Sequence, residues 1–299
     1  MATITTISIF CFVLGAIIGS FLGVCAYRIP MGKYPPEREG IKVLDRKLSI
    51  TTPARSLCPN CEHQLAWWHN IPIISWIALG GRCAFCKSRI PFRYLLIEIM
   101  TGILCMLCYW RFGPNLTALV AFLFVSAMVV IVFIDLDYMI IPNVITYPGT
   151  VIGALLIAIN HALRTQGSHL LSEPFVTSLL DSFYGLLAGP GVLLALWWFY
   201  RVVRKREGLG LGDVKLLAMI GVAFGPIGSW FTIFVGSIIG SILGIVQVLA
   251  RRIGLAQAVP FGPYLVIGFL FFLFDGPGLV ARMLNHPEIP LLWWISQQR

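Results

Sequence analysis

The sequence predicts an all-α polytopic membrane protein of about eight transmembrane helices, with one polar loop domain between the first two. Three observations carry this. Hydrophobic residues make up 58% of the 299 and charged residues only 12%, with a mean hydropathy of +0.85. An ordinary soluble domain has about 25% charged residues. Apolar runs of spanning length, roughly 20 residues, recur from one end to the other. The Lys and Arg residues collect in alternate loops between those runs, on one side. This composition excludes a cytosolic enzyme, a disordered chain and a nucleic-acid-binding module. The net charge of +9 therefore reports basic loops at a membrane rather than a nucleic-acid partner.

The first run covers about 4–26. No Lys or Arg precedes it, so it lacks the basic start of a cleavable signal peptide and reads as a retained helix. The chain is then polar over 28–93. Further runs lie at about 94–112, 116–134, 144–161, 178–200, 214–227, 229–250 and 260–283. Gly225, Pro226 and Gly228 separate the sixth from the seventh. The division that follows is a first transmembrane helix (1–27), a loop domain (28–93) and a transmembrane core (94–299). With the N-terminus outside, 28–93 holds eleven Lys/Arg, 201–215 holds five and two more follow the seventh span, so eighteen of the 22 fall inside. Positive charge favours the cytoplasmic side, which makes the large loop cytoplasmic and both termini extracytoplasmic. The remaining outer loop, around 161–177, carries no motif, and no internal repeat is visible.

Within the loop, Cys58-Pro59-Asn60-Cys61 and Cys83-Ala84-Phe85-Cys86 form two C-x2-C pairs with 21 residues between them. Each pair lets two sulfurs of a tight turn reach one ion, and two pairs supply the four-thiolate tetrahedron of closed structural zinc sites. A cytoplasmic loop disfavours disulfides. The alternatives are reduced cysteine turns or a redox pair. Four thiolates fill the coordination shell, so His63 and His69 read as surface residues, and the metal's role is to fold a segment too small for its own core. Cys11, Cys25, Cys105 and Cys108 lie inside apolar runs and read as small packing residues.

The chain has only thirteen acids, and ionisable groups near hydrocarbon are costly enough to be functional candidates. Asp135 and Asp137 end the third span in Asp135-Leu136-Asp137-Tyr138, followed by Ile141-Pro142-Asn143. Asp213 opens the sixth in Gly210-Leu211-Gly212-Asp213-Val214-Lys215. The span count puts both stretches at the cytoplasmic face. Two carboxylates held together share a proton; the charged one can take a proton from water while the protonated one polarises a carbonyl. The plainer readings are that Asp213 is a helix N-cap or pairs with Lys215, and that Asp135 and Asp137 are solvated beyond a helix end. Asp181 and Asp275 look isolated. Glu98 begins the second span beside the cysteine loop and either pairs with Arg93 or lines a polar site.

Taken in order, these residues resemble the type IV prepilin peptidases. The likeness runs from Gly19-Ser20-Phe21-Leu22 and Tyr27-Arg28-Ile29-Pro30 through Pro53-Ala54-Arg55-Ser56-Leu57-Cys58 and Trp67-Trp68-His69-Asn70-Ile71-Pro72. It continues through Ile90-Pro91-Phe92-Arg93-Tyr94 and Glu98 to the two aspartate motifs. Gly23 stands where the family usually has Asn. The resemblance implies an intramembrane aspartic peptidase with Asp135 and Asp213 as the catalytic pair and Asp137 as an accessory residue or, in another register, the partner; Lys215 and Glu98, within the matched motifs, are further accessory candidates. It further implies cleavage of the basic leader from type IV prepilins or pseudopilins in the bacterial inner membrane, with the N-terminus periplasmic. Methylation of the new N-terminus with S-adenosylmethionine is also implied, although no Gly-rich fingerprint marks a cofactor site. Glu98, Asp137 and Glu207 are candidates to receive the basic leader. The alternatives are a peptidase without the methyltransferase, a membrane scaffold that recruits partners through the loop, or a proton-coupled transporter. A transporter predicts acids deep in several spans, whereas the key acids here gather at one face.

Overall fold

A computed structural model describes residues 2–31, 56–172 except Pro59, 174–203, 210–250 and 259–283. Most of 31–50, the Pro53–Arg55 stretch, Glu207, Gly208, Leu209, Arg251 and Arg252 lie outside the described residues. Eight α-helices follow in order: α1 (Ala2–Met31), the short α2 (Ile74–Ala78), α3 (Phe92–Phe112), α4 (Leu116–Tyr138), α5 (Asn143–Arg164), α6 (Leu179–Val203), α7 (Leu211–Leu249) and α8 (Gly262–Met283). Among the described residues there is no strand, only two isolated antiparallel bridges in the loop. Among the described residues, six helices are long and apolar enough to cross a membrane, and α8 adds a shorter apolar stretch, Gly262–Gly276. The chain is an all-α, multi-pass membrane protein. It forms two compact units, Met1–Pro142 and Asn143–Arg299.

In the first unit α1, α3 and α4 pack against one another. Between lipid-exposed helices there is no hydrophobic driving force, so close backbone approach through small residues has to hold them. Gly15 and Gly19 stand four apart on one face of α1. A Cβ on Gly15 would fall 2.6 Å from the Cys105 Cβ and 2.7 Å from the Thr101 carbonyl oxygen, and one on Gly19 would fall 2.9 Å from the Glu98 Cα. Gly102 answers from α3, against Phe12. Cys105 and Cys108 are buried here as packing residues. A Cβ on Gly23 would fall 3.1 Å from the Tyr94 ring, so a larger side chain at that position would require the ring to move. Helix α4 begins at Asn115, whose side-chain Oδ1 accepts the Ala118 N–H at 3.0 Å, and ends where Met139 turns left-handed, φ 53°.

In the second unit α7 is central, packed by α5, α6 and α8. As a straight rod its 39 residues would extend about 58 Å, nearly twice the roughly 30 Å of hydrocarbon. It is not straight. Gly225 takes φ 72° and ψ −175°, a backbone that only glycine adopts readily, and Pro226 follows. A Cβ on Gly221 would fall 2.8 Å from the Ser229 Oγ, although eight residues of helix should separate them by about 12 Å. The chain therefore folds back at Gly225, and the sixth and seventh predicted runs are two helical arms joined at the glycine–proline turn.

The tightest contact in this unit joins Gly185 of α6 to Gly221 of α7, where a Cβ on Gly185 would fall 2.0 Å from the Gly221 carbonyl oxygen. No side-chain motion relieves a clash with backbone. Gly185→Ala is expected to separate α6 from α7 and cost about 1–3 kcal/mol, the usual range for overpacking. Gly191, on the same helix, has open space where its Cβ would lie, so Gly191→Ala should be neutral. Thermal unfolding of the two variants in one detergent checks the difference.

Candidate active site and metal centre

The cysteine loop is built from two copies of one turn. Leu57 bridges Gln64 around the first cysteine pair, and Arg82 bridges Arg89 around the second. The Cys58 N–H donates to the His63 carbonyl at 3.1 Å and the Glu62 N–H returns to the Cys58 carbonyl at 2.8 Å. Cys83 with Ser88 (2.9 Å) and Lys87 with Cys83 (3.2 Å) repeat the pattern. Glu62 and Lys87 both take positive φ, 56° and 57°. The loop thus contains a local structural repeat that no sequence repeat announces. The repeat escapes notice because the two copies share little beyond their cysteines.

Folded this way, the four sulfurs of Cys58, Cys61, Cys83 and Cys86 lie within 4.8 Å of one another. The Cys58 and Cys86 sulfurs are 3.7 Å apart. A tetrahedron with zinc–sulfur bonds of about 2.3 Å has edges of about 3.8 Å, so the spacing fits a metal bound by four thiolates. The Ser88 side chain and backbone hold the Cys86 thiol down at about 6. At Cys58 burial pushes the thiol up, but the Cys61 and Asn60 N–H groups outweigh it and leave it lowered. The His63 backbone favours the Cys61 thiolate, yet burial and the neighbouring sulfurs prevail and hold that thiol up at about 11. Four crowded sulfurs resist ionising together, and a divalent cation removes that conflict. His63 stacks on Phe85 at 3.9 Å, and His69 meets the edge of the same ring. Both histidines support the turn rather than join the cluster.

Glu98 ties this loop to the helices. Its Oε2 accepts the Ile73 N–H at 2.7 Å, and the Ser20 side chain of α1 also hydrogen-bonds it. Ile73 itself stands at φ 64°, a strained conformation for a β-branched residue. Arg93 does not pair with Glu98. Its guanidinium grips both oxygens of Asp137, a bidentate arrangement suited to that planar fork.

Asp135 lies in the last turn of α4 and is 5% exposed; its carbonyl accepts the Met139 N–H at 2.8 Å. It is part of the helix, not a solvated residue beyond its end. Asp213, in the second unit, is 7% exposed in the first turn of α7. The N-cap there is Gly210, with no side-chain cap, so Asp213 is not the capping residue. A Cβ on Gly210 would lie 3.4 Å from the Asp213 Oδ2. The Lys215 Nζ donates to the Asn143 Oδ1 at 2.9 Å and stands 5.3 Å from the Tyr147 ring centre. Asp181, which looks isolated in sequence and reads as a polar end or a packing partner, is buried against Gly225, and its Oδ1 has no hydrogen-bond partner among the described residues. Sequence gave no signal for that environment.

Known families match the two stretches that carry these residues. Residues 13–112 match the Bacterial Peptidase A24 N-terminal domain, and residues 122–245 match the Type IV leader peptidase family. The chain belongs to the type IV leader peptidase family. Its relatives include proteins named prepilin leader peptidase/N-methyltransferase. One from Stutzerimonas stutzeri is 31% identical over 93% of both chains. One from Aeromonas hydrophila is 34% identical over 92% of this chain and 93% of its own. One from Pseudomonas putida is 33% identical over 85% of this chain and 86% of its own. No solved structure matches. The N-terminal match spans the cysteine loop, Arg93 and Glu98; the leader peptidase match spans Asp135, Asp137, Asp213 and Lys215.

Proposed function

We propose that this leader peptidase cuts the basic leader from type IV prepilins or pseudopilins through Asp135 and Asp213, and then methylates the new N-terminal amine with S-adenosylmethionine. The observation that carries the reading is that two carboxylates, each more than nine-tenths buried at a helix end, fall in the segment matched to this peptidase family. Burial of an acid in an apolar setting is costly, and a shared proton offsets that cost in a pair. Two spans, α5 and α6, separate the acids along the chain, so it returns to the face it left.

In the proposed reaction the ionised aspartate takes a proton from water, and the resulting hydroxide attacks the scissile carbonyl. The protonated aspartate donates to the carbonyl oxygen. Collapse of the tetrahedral intermediate breaks the C–N bond, and the leaving amine receives the proton. A prepilin with its leader in the cytoplasm and its apolar segment in the bilayer presents that bond at the inner-membrane surface, which is where the charge count places the large loop. The bound Asp137 carboxylate is already matched by Arg93, leaving the leader's charge to other groups. The four cysteines hold a structural zinc that folds the 28–93 domain, while 1–27 and 94–299 supply the membrane helices. Zinc bound by four thiolates has no open position for substrate and stays outside the chemistry.

Purified protein incubated with a prepilin, with and without S-adenosylmethionine, tests both halves. Intact-mass analysis should show loss of the leader in both reactions and one added methyl only with the donor. An uncut prepilin refutes the peptidase reading, and cleavage without methylation removes the second activity.

A further inference from the structure

The cysteine loop exposes several large apolar side chains between its two cysteine pairs and at the start of α3. Trp67 is 75% exposed, and Trp68, Ile74, Ile77 and Phe92 are each more than half exposed. Ile74 and Ile77 stand three apart on α2 and so share a face. Soluble surfaces rarely gather large apolar side chains like this unless something covers them.

Three observations indicate what covers them. The first is depth. Ile73 donates its N–H to Glu98, which lies six residues inside α3, about 9 Å along its axis. Because α3 is a span of 21 residues, the segment beside Ile73 sits below the level at which that span begins. The second is continuity. Trp76 meets the edge of Phe92 at 5.9 Å, and Phe92 opens the exposed stripe that Leu96, Ile103 and Trp110 continue along α3. That stripe is the exposed, apolar side of a helix of spanning length. The third is backbone satisfaction. Irregular backbone at membrane depth survives only when its polar groups are paired within the protein. Glu98 pairs the Ile73 N–H, and the Ser75 hydroxyl donates to the Trp68 carbonyl at 2.6 Å. Exposed basic residues, Arg82, Lys87 and Arg89, lie nearby in sequence, where they suit anionic headgroups.

We propose that Trp67–Ala78 is an interfacial anchor, with Trp67, Trp68, Ile74 and Ile77 seated in the lipid leaflet on the loop's side of the membrane. Tryptophan is enriched at this boundary because its ring is apolar and its N–H is polar. The loop domain then lies on the bilayer rather than projecting from it.

The test uses the full chain in nanodiscs of phosphatidylethanolamine and phosphatidylglycerol, prepared with plain acyl chains or with chains dibrominated near the headgroup. The emission lost in the double variant Trp67→Phe/Trp68→Phe reports these two indoles. Ile77→Trp adds an exposed indole within the same segment and reads independently should the double variant fail to accumulate. In both cases we expect this emission to fall at least twofold in brominated lipid and to resist aqueous iodide. Quenching by iodide without an effect of bromine overturns the proposal. Resistance to both quenchers overturns it as well, because the segment would then be covered by protein.

Discussion

Asp135→Asn and Asp213→Asn are each expected to abolish leader cleavage, by at least the roughly 100-fold that a positioned acid or base contributes. The protein should remain folded and inserted. Asparagine keeps the volume of aspartate but neither ionises nor gives up a proton, so the buried site stays filled while the chemistry stops. Both side chains are enclosed, so alanine would add a cavity and confuse the result. Asp137→Asn is the internal comparison. It breaks the ion pair with Arg93 and should reduce activity less than either substitution in the pair. Mass analysis of a prepilin incubated with each variant reads all three. Normal cleavage by Asp135→Asn together with none by Asp137→Asn would mean that the second aspartate of the motif is the catalytic one.

The second large effect is expected at the cysteines. Replacing either buried sulfur, Cys58→Ser or Cys83→Ser, should take bound zinc from one ion per chain to nearly none. Apparent binding energies of structural four-ligand sites are on the order of 10 kcal/mol, more than a loop with so few buried residues supplies by packing. Elemental analysis gives the metal content, and hydrogen exchange over 56–90 should rise several-fold in the same variants. Full zinc occupancy in both would refute the ligand assignment.

Much of this architecture is legible in the sequence because membrane helices announce themselves by length and apolarity. Even the break at Gly225 is visible as a glycine–proline pair. The cysteine cluster is legible because two-residue spacing leaves little freedom in where the sulfurs go. Side-chain partners are another matter. Nothing in the order of residues says that Arg93 reaches Asp137, 44 positions away, instead of Glu98, five positions away. On a helix, 93 and 98 point to different sides, and Glu98 is taken by Ile73 instead. The N-terminal role of Asp213 misleads for a similar reason. Asp is a common capping residue, but Gly210 holds that position and Asp213 enters the first turn. The surroundings of Asp181 depend on the fold-back at Gly225, a long-range arrangement that no local pattern encodes.

The twin turns at 57–64 and 82–89 have a consequence for everything strung between them. Each half holds two sulfurs, and neither half is a complete ligand set. An ion shared by both works as a drawstring, pulling shut the stretch that carries the indoles and lowering the entropy that ordering this stretch would otherwise cost. Chelation would slacken Trp67 and Trp68 without touching either ring.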